Sequence, residues 1–302
     1  MKFSLSKYIW FDGKFVPVNM AKVPVTTHAI HYGTSIFEGI RAYWDSKSLY
    51  VFRLKDHIKR FRNSGKFYNI RLNFSDKQIE NAVIDLCKKN KIKKSCYIRP
   101  FYFVGQYGIN FHVTQKAPTH TAVFAFPFGD LFNKNGITAT ISKWRKFSDM
   151  STPTQAKMGG NYLNSILATQ DAKQRGFDEA ILLDQSGNVS EAPGENIFLV
   201  KNDELVTPPL SSSALDGITR RTIITLAKDM NLKIKVQKVS KKELKLADEI
   251  FLSGTAAEIT PIIKIDKKKI GNEEVGNITK LFMATYSDIV MNKNENYSHW
   301  LT

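Results

Sequence analysis

Strand-like and helix-like periods alternate irregularly along this chain, and that irregularity constrains the fold more than any other feature of the sequence. Cys96 to Val104 and Thr121 to Phe128 are apolar, β-branched or aromatic runs that suit central strands. Ile9-Trp10-Phe11 and Lys14-Phe15-Val16 flank Asp12-Gly13, a pair that tolerates the positive φ a type I′ hairpin turn needs at both central positions. Ser35 to Trp44 and Leu49 to Phe52 read as a further strand pair around Asp45-Ser46-Lys47-Ser48. Ser75 and Gln78, by contrast, make a capping box, after which Ile79, Ala82, Val83 and Leu86 recur at helical spacing and predict a helix with one buried face. Residues 129–136 break the pattern and mark a linker. Beyond them the sequence predicts a strand near 137–145, a helix from Tyr162 to Arg175 stopped by Gly176, and strands at 180–184 and 196–200. A helix near 218–230 and strand-rich sequence through 265 follow. This order lacks the regular strand-helix-strand repeat of a Rossmann winding. The expected fold class is α+β, with a small N-terminal α/β domain over 1–128, the linker over 129–136 and a larger domain over 137–302.

Charge points elsewhere at first. The 302 residues carry 44 lysines and arginines against 28 acids, a formal +16 that suggests nucleic acid or a membrane surface as partner. The excess is uneven: residues 1–128 hold 21 basic and 7 acidic residues. The run from Lys88 to Lys94 sits where it can complement a helix dipole and stay hydrated. Aromatics near the lysines fall at core-like spacing in strands, and no helix-turn-helix or zinc pattern accompanies them, so the expected partners are small molecules, without nucleic acid or membrane. Cys87 and Cys96 have neither metal nor redox spacing and read as buried small hydrophobes in a reducing compartment. The stretch from Met1 to Tyr8 lacks the apolar core and cleavage site of a signal peptide, and no uncharged run approaches the ~20 residues of a bilayer span. A cytoplasmic location is expected.

Four polar, glycine-rich segments could carry chemistry. Lys157-Met158-Gly159-Gly160-Asn161-Tyr162 sets a lysine before a flexible pair that lets backbone or ligand approach closely, as an imine-forming lysine needs; an ordinary surface cation is the plain reading. Ser190 to Asn196 holds Glu191 and Glu195 around Pro193-Gly194, which alone would pass for a polar turn between strands. Asp216-Gly217-Ile218-Thr219-Arg220 opens an amphipathic helix whose N–H groups and dipole favour a phosphate, although simple N-capping would look the same. Ser253 to Glu258 offers further N–H and hydroxyl donors from a loop. Together they call for a phosphate-bearing carbonyl cofactor whose ring nitrogen is held protonated by an acid, a description that pyridoxal 5′-phosphate meets.

With these segments, the blocks His31 to Arg41, Tyr97 to Pro100, Lys157 to Leu163, Glu191 to Phe198, Leu215 to Arg220 and Ser253 to Pro261 resemble, in order, the motifs of bacterial branched-chain amino-acid aminotransferases, class IV enzymes of pyridoxal-phosphate fold type IV. The resemblance runs from about Tyr8 to the C-terminal tryptophan segment. It implies a D-amino-acid-aminotransferase-like two-domain fold with the cofactor on the larger domain. It also implies that Lys157 holds pyridoxal 5′-phosphate through an imine and later moves the proton between substrate Cα and cofactor C4′. Glu191 would pair with the ring nitrogen and Tyr162 with the 3′-oxygen. Arg60, the backbone at Ile218 and Thr219, and Thr255 would hold the phosphate. Tyr97 and the N–H groups of Thr255 and Ala256 would meet the substrate α-carboxylate. Arg99, helped by Tyr32, would take the side-chain carboxylate of glutamate, and Phe37 would line the apolar part. The implied partners are amino acids and 2-oxo acids, and the implied assembly is a homodimer or an assembly of dimers.

Phe128 and Leu131 stand where family members often have tryptophan and tyrosine, which bears on the preference among leucine, isoleucine, valine and aromatic substrates. The same cofactor apparatus would serve a D-amino-acid aminotransferase or aminodeoxychorismate lyase; the blocks at Tyr32 to Ser35 and Tyr97 to Arg99 resemble the branched-chain subgroup. A basic nucleic-acid-binding protein is the alternative from another class.

Overall fold

The structure, a computed structural model, describes residues 5–302; the first four residues of the N-terminal stretch read above lie outside the described residues. The chain divides into two compact units. One comprises the chain up to Gly129, with Ala156–Gly160 and Asp288–Thr302, and the other comprises Asp130–Gln155 and Asn161–Ser287.

The first unit contains β1 (Tyr8–Phe11), β2 (Lys14–Pro17), α1 (His28–Tyr32), β3 (Ser35–Phe37), β4 (Ile40–Trp44), β5 (Leu49–Val51), α2 (Leu54–Lys66), α3 (Asp76–Lys89), β6 (Cys96–Val104) and β7 (Thr119–Pro127). Its sheet has the order β2-β1-β7-β6-β4-β5, with β3 also paired to β6, and its pairings are antiparallel. The first hairpin turns through Asp12 and Gly13 at φ 46° and 90°, both positive as its turn requires. The capping box of α3 is formed in both directions, and Ile79, Ala82, Val83 and Leu86 are buried together with Ile58 and Phe61 of α2 and Ile98 and Tyr102 of β6. Cys87 and Cys96 are buried and unbridged.

Two local features differ from the sequence reading. The strand expected from Ser35 to Trp44 is broken at Glu38-Gly39, and its halves pair separately with β6, Phe37 opposite Phe101 and Ile40 opposite Ile98. The physical reason is the buried Glu38 carboxylate, whose partners lie on α2. Helix α2 itself escaped the reading, although Leu54, Ile58 and Phe61 recur at i, i+4 and i+7 and are buried.

The second unit contains β8 (Ile137–Arg145), α4 (Tyr162–Gln174), β9 (Glu179–Leu183), β10 (Asn196–Lys201), β11 (Glu204–Thr207), α5 (Ile218–Asp229), β12 (Ile234–Val236), α6 (Lys241–Lys245), β13 (Glu249–Gly254), β14 (Glu258–Ile265) and β15 (Lys268–Lys269). A last helix, α7 (Asn277–Val290), follows. The sheet order is β12-β11-β10-β13-β14-β8-β9, with β15 on β14. It is mixed: β8 runs parallel to both β9 and β14, and β11 parallel to β12, while β10, β13 and β14 are antiparallel neighbours. Strands such as β9, buried along their whole length, explain the continuous apolar run at 180–183. Among the described residues no helix is long and apolar enough to cross a membrane.

Candidate active site

Lys157 is held by backbone bonds on two sides. Its N–H donates to Ser64 Oγ of α2 at 3.0 Å, and its carbonyl accepts from Phe37 N at 3.1 Å. Met158 bridges antiparallel to Ile36, a single bridge that seats the lysine segment against β3. Gly160 N donates to Gly33 O at 3.1 Å. Gly33 ends α1 with φ 65°, a left-handed conformation that suits glycine. Lys157 Nζ is 5.0 Å from the centre of the Phe37 ring. Burial and the guanidiniums of Arg60 and Arg99 outweigh Glu38 and Tyr97, bringing the ammonium down to about 8. A useful fraction of neutral amine is therefore present near neutrality, as a nucleophilic lysine requires.

Arg60 lies in the same electrostatic environment. Its Nε donates to Glu38 Oε1 at 2.6 Å and its Nη2 to Oε2 at 2.9 Å, a bidentate fork. His57 Nδ1 donates to the same Oε2 at 2.8 Å. Burial alone would raise the Glu38 carboxyl, but Arg60 and His57 hold it well below the usual carboxylate range. Burial lowers His57 against the pull of Glu38, so the ring is neutral with its proton on Nδ1, the tautomer a carboxylate acceptor selects.

Tyr97 and Arg99 are two apart on β6 and share a face of the strand. Arg99 Nη2 donates to the Tyr97 hydroxyl at 3.1 Å, and its guanidinium lies 4.5 Å from the Phe37 ring centre and 5.2 Å from that of Tyr97. Phe126 and Phe128 each approach Tyr97 with ring centres 5.4 Å apart. Arg99 Nε is buried without a hydrogen-bond partner. A guanidinium on an aromatic bed with an unspent donor fits a carboxylate ligand. Tyr32 closes α1 and packs its ring on His28 and Phe111, with centres 4.6 and 5.2 Å away.

In the second unit Glu191 is 4% exposed. Its Oε2 accepts from Asn196 Nδ2 at 3.1 Å and Leu215 N at 2.9 Å, while Oε1 meets Lys146 Nζ at 2.6 Å. Burial pulls the Lys146 ammonium down, but the charge and hydrogen bond of Glu191, with Tyr162, more than offset it and hold it above the usual lysine range. Tyr162 is the first residue of α4. Ile218 and Thr219, both buried, open α5 behind a glycine N-cap that brings no side chain to its first-turn N–H groups. Thr255 and Ala256 lie in the partly buried turn between β13 and β14.

The amino-transferase class IV family model matches residues 35–265. The chain belongs to the class IV aminotransferase family. It is 42% identical over 298 residues to the branched-chain-amino-acid aminotransferase of Salmonella typhimurium, covering 97% of this chain and 96% of that one. The branched-chain aminotransferase of the thermophilic archaeon Thermoproteus uzoniensis, solved with norvaline, matches with TM-score 0.95 at 41% identity over 98% of this chain and 99% of that one. The branched-chain amino acid aminotransferase of Thermobaculum terrenum, solved in its PLP-bound holo form, matches with TM-score 0.93 at 33% identity over 99% of this chain and 98% of that one.

In this class IV aminotransferase the sequence reading singled out neither Glu38, His57 and Ser64 nor Lys146. Glu38 carried one signal, a carboxylate among apolar strand residues, and His57 another, a histidine one helical turn before Arg60. Lys146 follows a strand in a basic run and has no local signature at all. The donor sets fit pyridoxal phosphate: an amine of lowered basicity at Lys157, and at Glu191 a buried carboxylate with three partners against about four acceptor positions.

Proposed function

We propose that this chain is a branched-chain amino-acid aminotransferase that uses pyridoxal 5′-phosphate to move the amino group reversibly between L-leucine, L-isoleucine or L-valine and 2-oxoglutarate. The observation that carries the reading is Lys157, a partly buried amine of lowered basicity in the electrostatic environment of Arg99 and Tyr97. When bound, the cofactor supplies an electron sink for the electrons released at the substrate Cα. Lys157 would hold the cofactor and, as a free amine, move the proton from the substrate Cα to C4′, the second half-reaction running the same transfer backward. Glu191 keeps a proton on the ring nitrogen, and Tyr162 donates to the 3′-oxygen. Arg60, the N–H groups of Ile218 and Thr219, and Thr255 neutralise the phosphate. Tyr97 and the N–H groups of Thr255 and Ala256 orient the α-carboxylate.

Two unlike side chains must be accepted by one set of residues. Arg99, with Tyr32, takes the carboxylate of glutamate or 2-oxoglutarate. When an aliphatic side chain binds along Phe37, the guanidinium keeps its seat on the two rings and the Tyr97 hydroxyl, which limits the cost of leaving the charge without a counterion. The functional unit in this reading is a homodimer or an assembly of dimers in the cytoplasm.

The absorbance spectrum tests the reading. Purified protein with pyridoxal phosphate should show a yellow band that L-leucine or L-glutamate bleaches and that Lys157→Ala lacks. A protein that remains colourless with added cofactor, or prefers D-alanine to L-leucine with 2-oxoglutarate, overturns it.

A further inference from the structure

Lys146 has no part in the reading above, yet its charge is largely buried and paired. Its backbone is fixed at both ends: its N–H donates to Leu183 O at 2.9 Å, and its carbonyl accepts from Gln185 Nε2 at 2.7 Å. The side chain is 16% exposed, and Nζ reaches Glu191 Oε1 at 2.6 Å. Such burial of a lysine is costly unless the charge is paired. The pairing is with the one carboxylate assigned to the ring nitrogen. Arg220, 5% exposed, is the other cation whose charge acts on Glu191, but its Nη2 is spent on Pro208 O at 3.1 Å and its Nη1 is 4.0 Å from Asp216. Only Lys146 bonds the Glu191 carboxylate as a cation among the described residues.

We propose that Lys146 is a positioning residue for amino transfer: its ammonium holds Oε1 of Glu191 while Asn196 and Leu215 hold Oε2, so that the carboxylate is already turned to meet the cofactor's ring nitrogen. This rests on the function proposed above. Asn196 and the Leu215 N–H hold only Oε2, so Lys146 is the partner that fixes Oε1. Without Lys146 the buried Oε1 loses its partner, the carboxylate can turn about its Oε2 bonds, and it holds the ring proton less well. With the ring proton held less well, bound cofactor would keep its yellow, protonated form to higher pH.

The experiment is a pH titration of the yellow band in holoenzyme, together with cofactor affinity of the cofactor-free protein measured by fluorescence quenching. In Lys146→Met the band should persist to higher pH, its midpoint rising by about one unit, and cofactor should bind about tenfold more weakly. Lys146→Arg, which keeps a cation on Glu191, should restore the wild-type midpoint. Glu191→Gln should shift the midpoint the same way, and adding Lys146→Met to it should shift it little further. If Lys146→Met does not fold, Lys146→Gln carries the same expectation. Wild-type-like midpoint and affinity in the neutral variant overturn the role of Lys146. Wild-type protein that takes up no cofactor overturns instead the function on which it rests.

Discussion

Gly33 and Gly160 meet backbone to backbone: Gly160 N donates to Gly33 O at 3.1 Å, and a Cβ on Gly33 would stand 2.9 Å from Gly160 Cα. Neither atom is the end of a flexible side chain, so a methyl group must push the lysine segment off its seat. Gly33→Ala, at φ 65°, should destabilise the protein by more than about 1 kcal/mol in urea unfolding and weaken cofactor binding with it. An alanine variant with unchanged affinity would show that the approach of the two glycines does not matter for Lys157.

Arg99→Ala removes the proposed partner of the glutamate side chain and leaves Phe37 in place. The loss of a charge-assisted pair should raise KM for 2-oxoglutarate or glutamate by roughly 10- to 100-fold while that for leucine changes only a few-fold. Steady-state kinetics with both substrates checks this, and equal losses on the two would reject the assignment.

The rate of cofactor uptake should follow the neutral form of Lys157. Below the value of about 8 each pH unit should slow uptake about tenfold, and above it the rate should level off. Stopped-flow absorbance after mixing cofactor-free protein with pyridoxal phosphate gives the profile.

Glu38→Gln leaves Arg60 and His57 facing an amide in a buried setting. Removing one partner of a buried charged cluster should lower stability by about 3 kcal/mol. Glu38 is held below its unfolded value, so its contribution is complete above the ordinary carboxylate range and fades as pH falls below it. The difference between variant and wild type, measured by urea unfolding at pH 7 and at pH 3.5, should therefore shrink in acid.

The legible parts of this molecule are those whose cause is local. Asp12-Gly13 states its turn in two residues, and Ser75 to Leu86 states its cap and its buried face within one helix. The glycines around Lys157 likewise announce a close backbone approach, though not which strand is approached. Helix α2 carries a narrow apolar stripe of Leu54, Ile58 and Phe61 in a highly charged segment, a local signal that the surrounding lysines and arginines masked. Glu38 and Lys146 are harder still. A charge is buried only because of a partner distant in the chain, Arg60 for one and Glu191 for the other, and neither sequence neighbourhood records that partner.

The first unit is assembled from three separated stretches, and this orders its birth. Strand β3, already paired with β6, gains its bridge to Met158 only with residues 156–160, and Val51 exchanges backbone bonds with Thr302, at 2.8 Å and 3.0 Å. Domains made early on the ribosome ordinarily fold early. Here translation must pass Thr302 before β5 has these bonds, so the unit whose synthesis starts first is completed after the other.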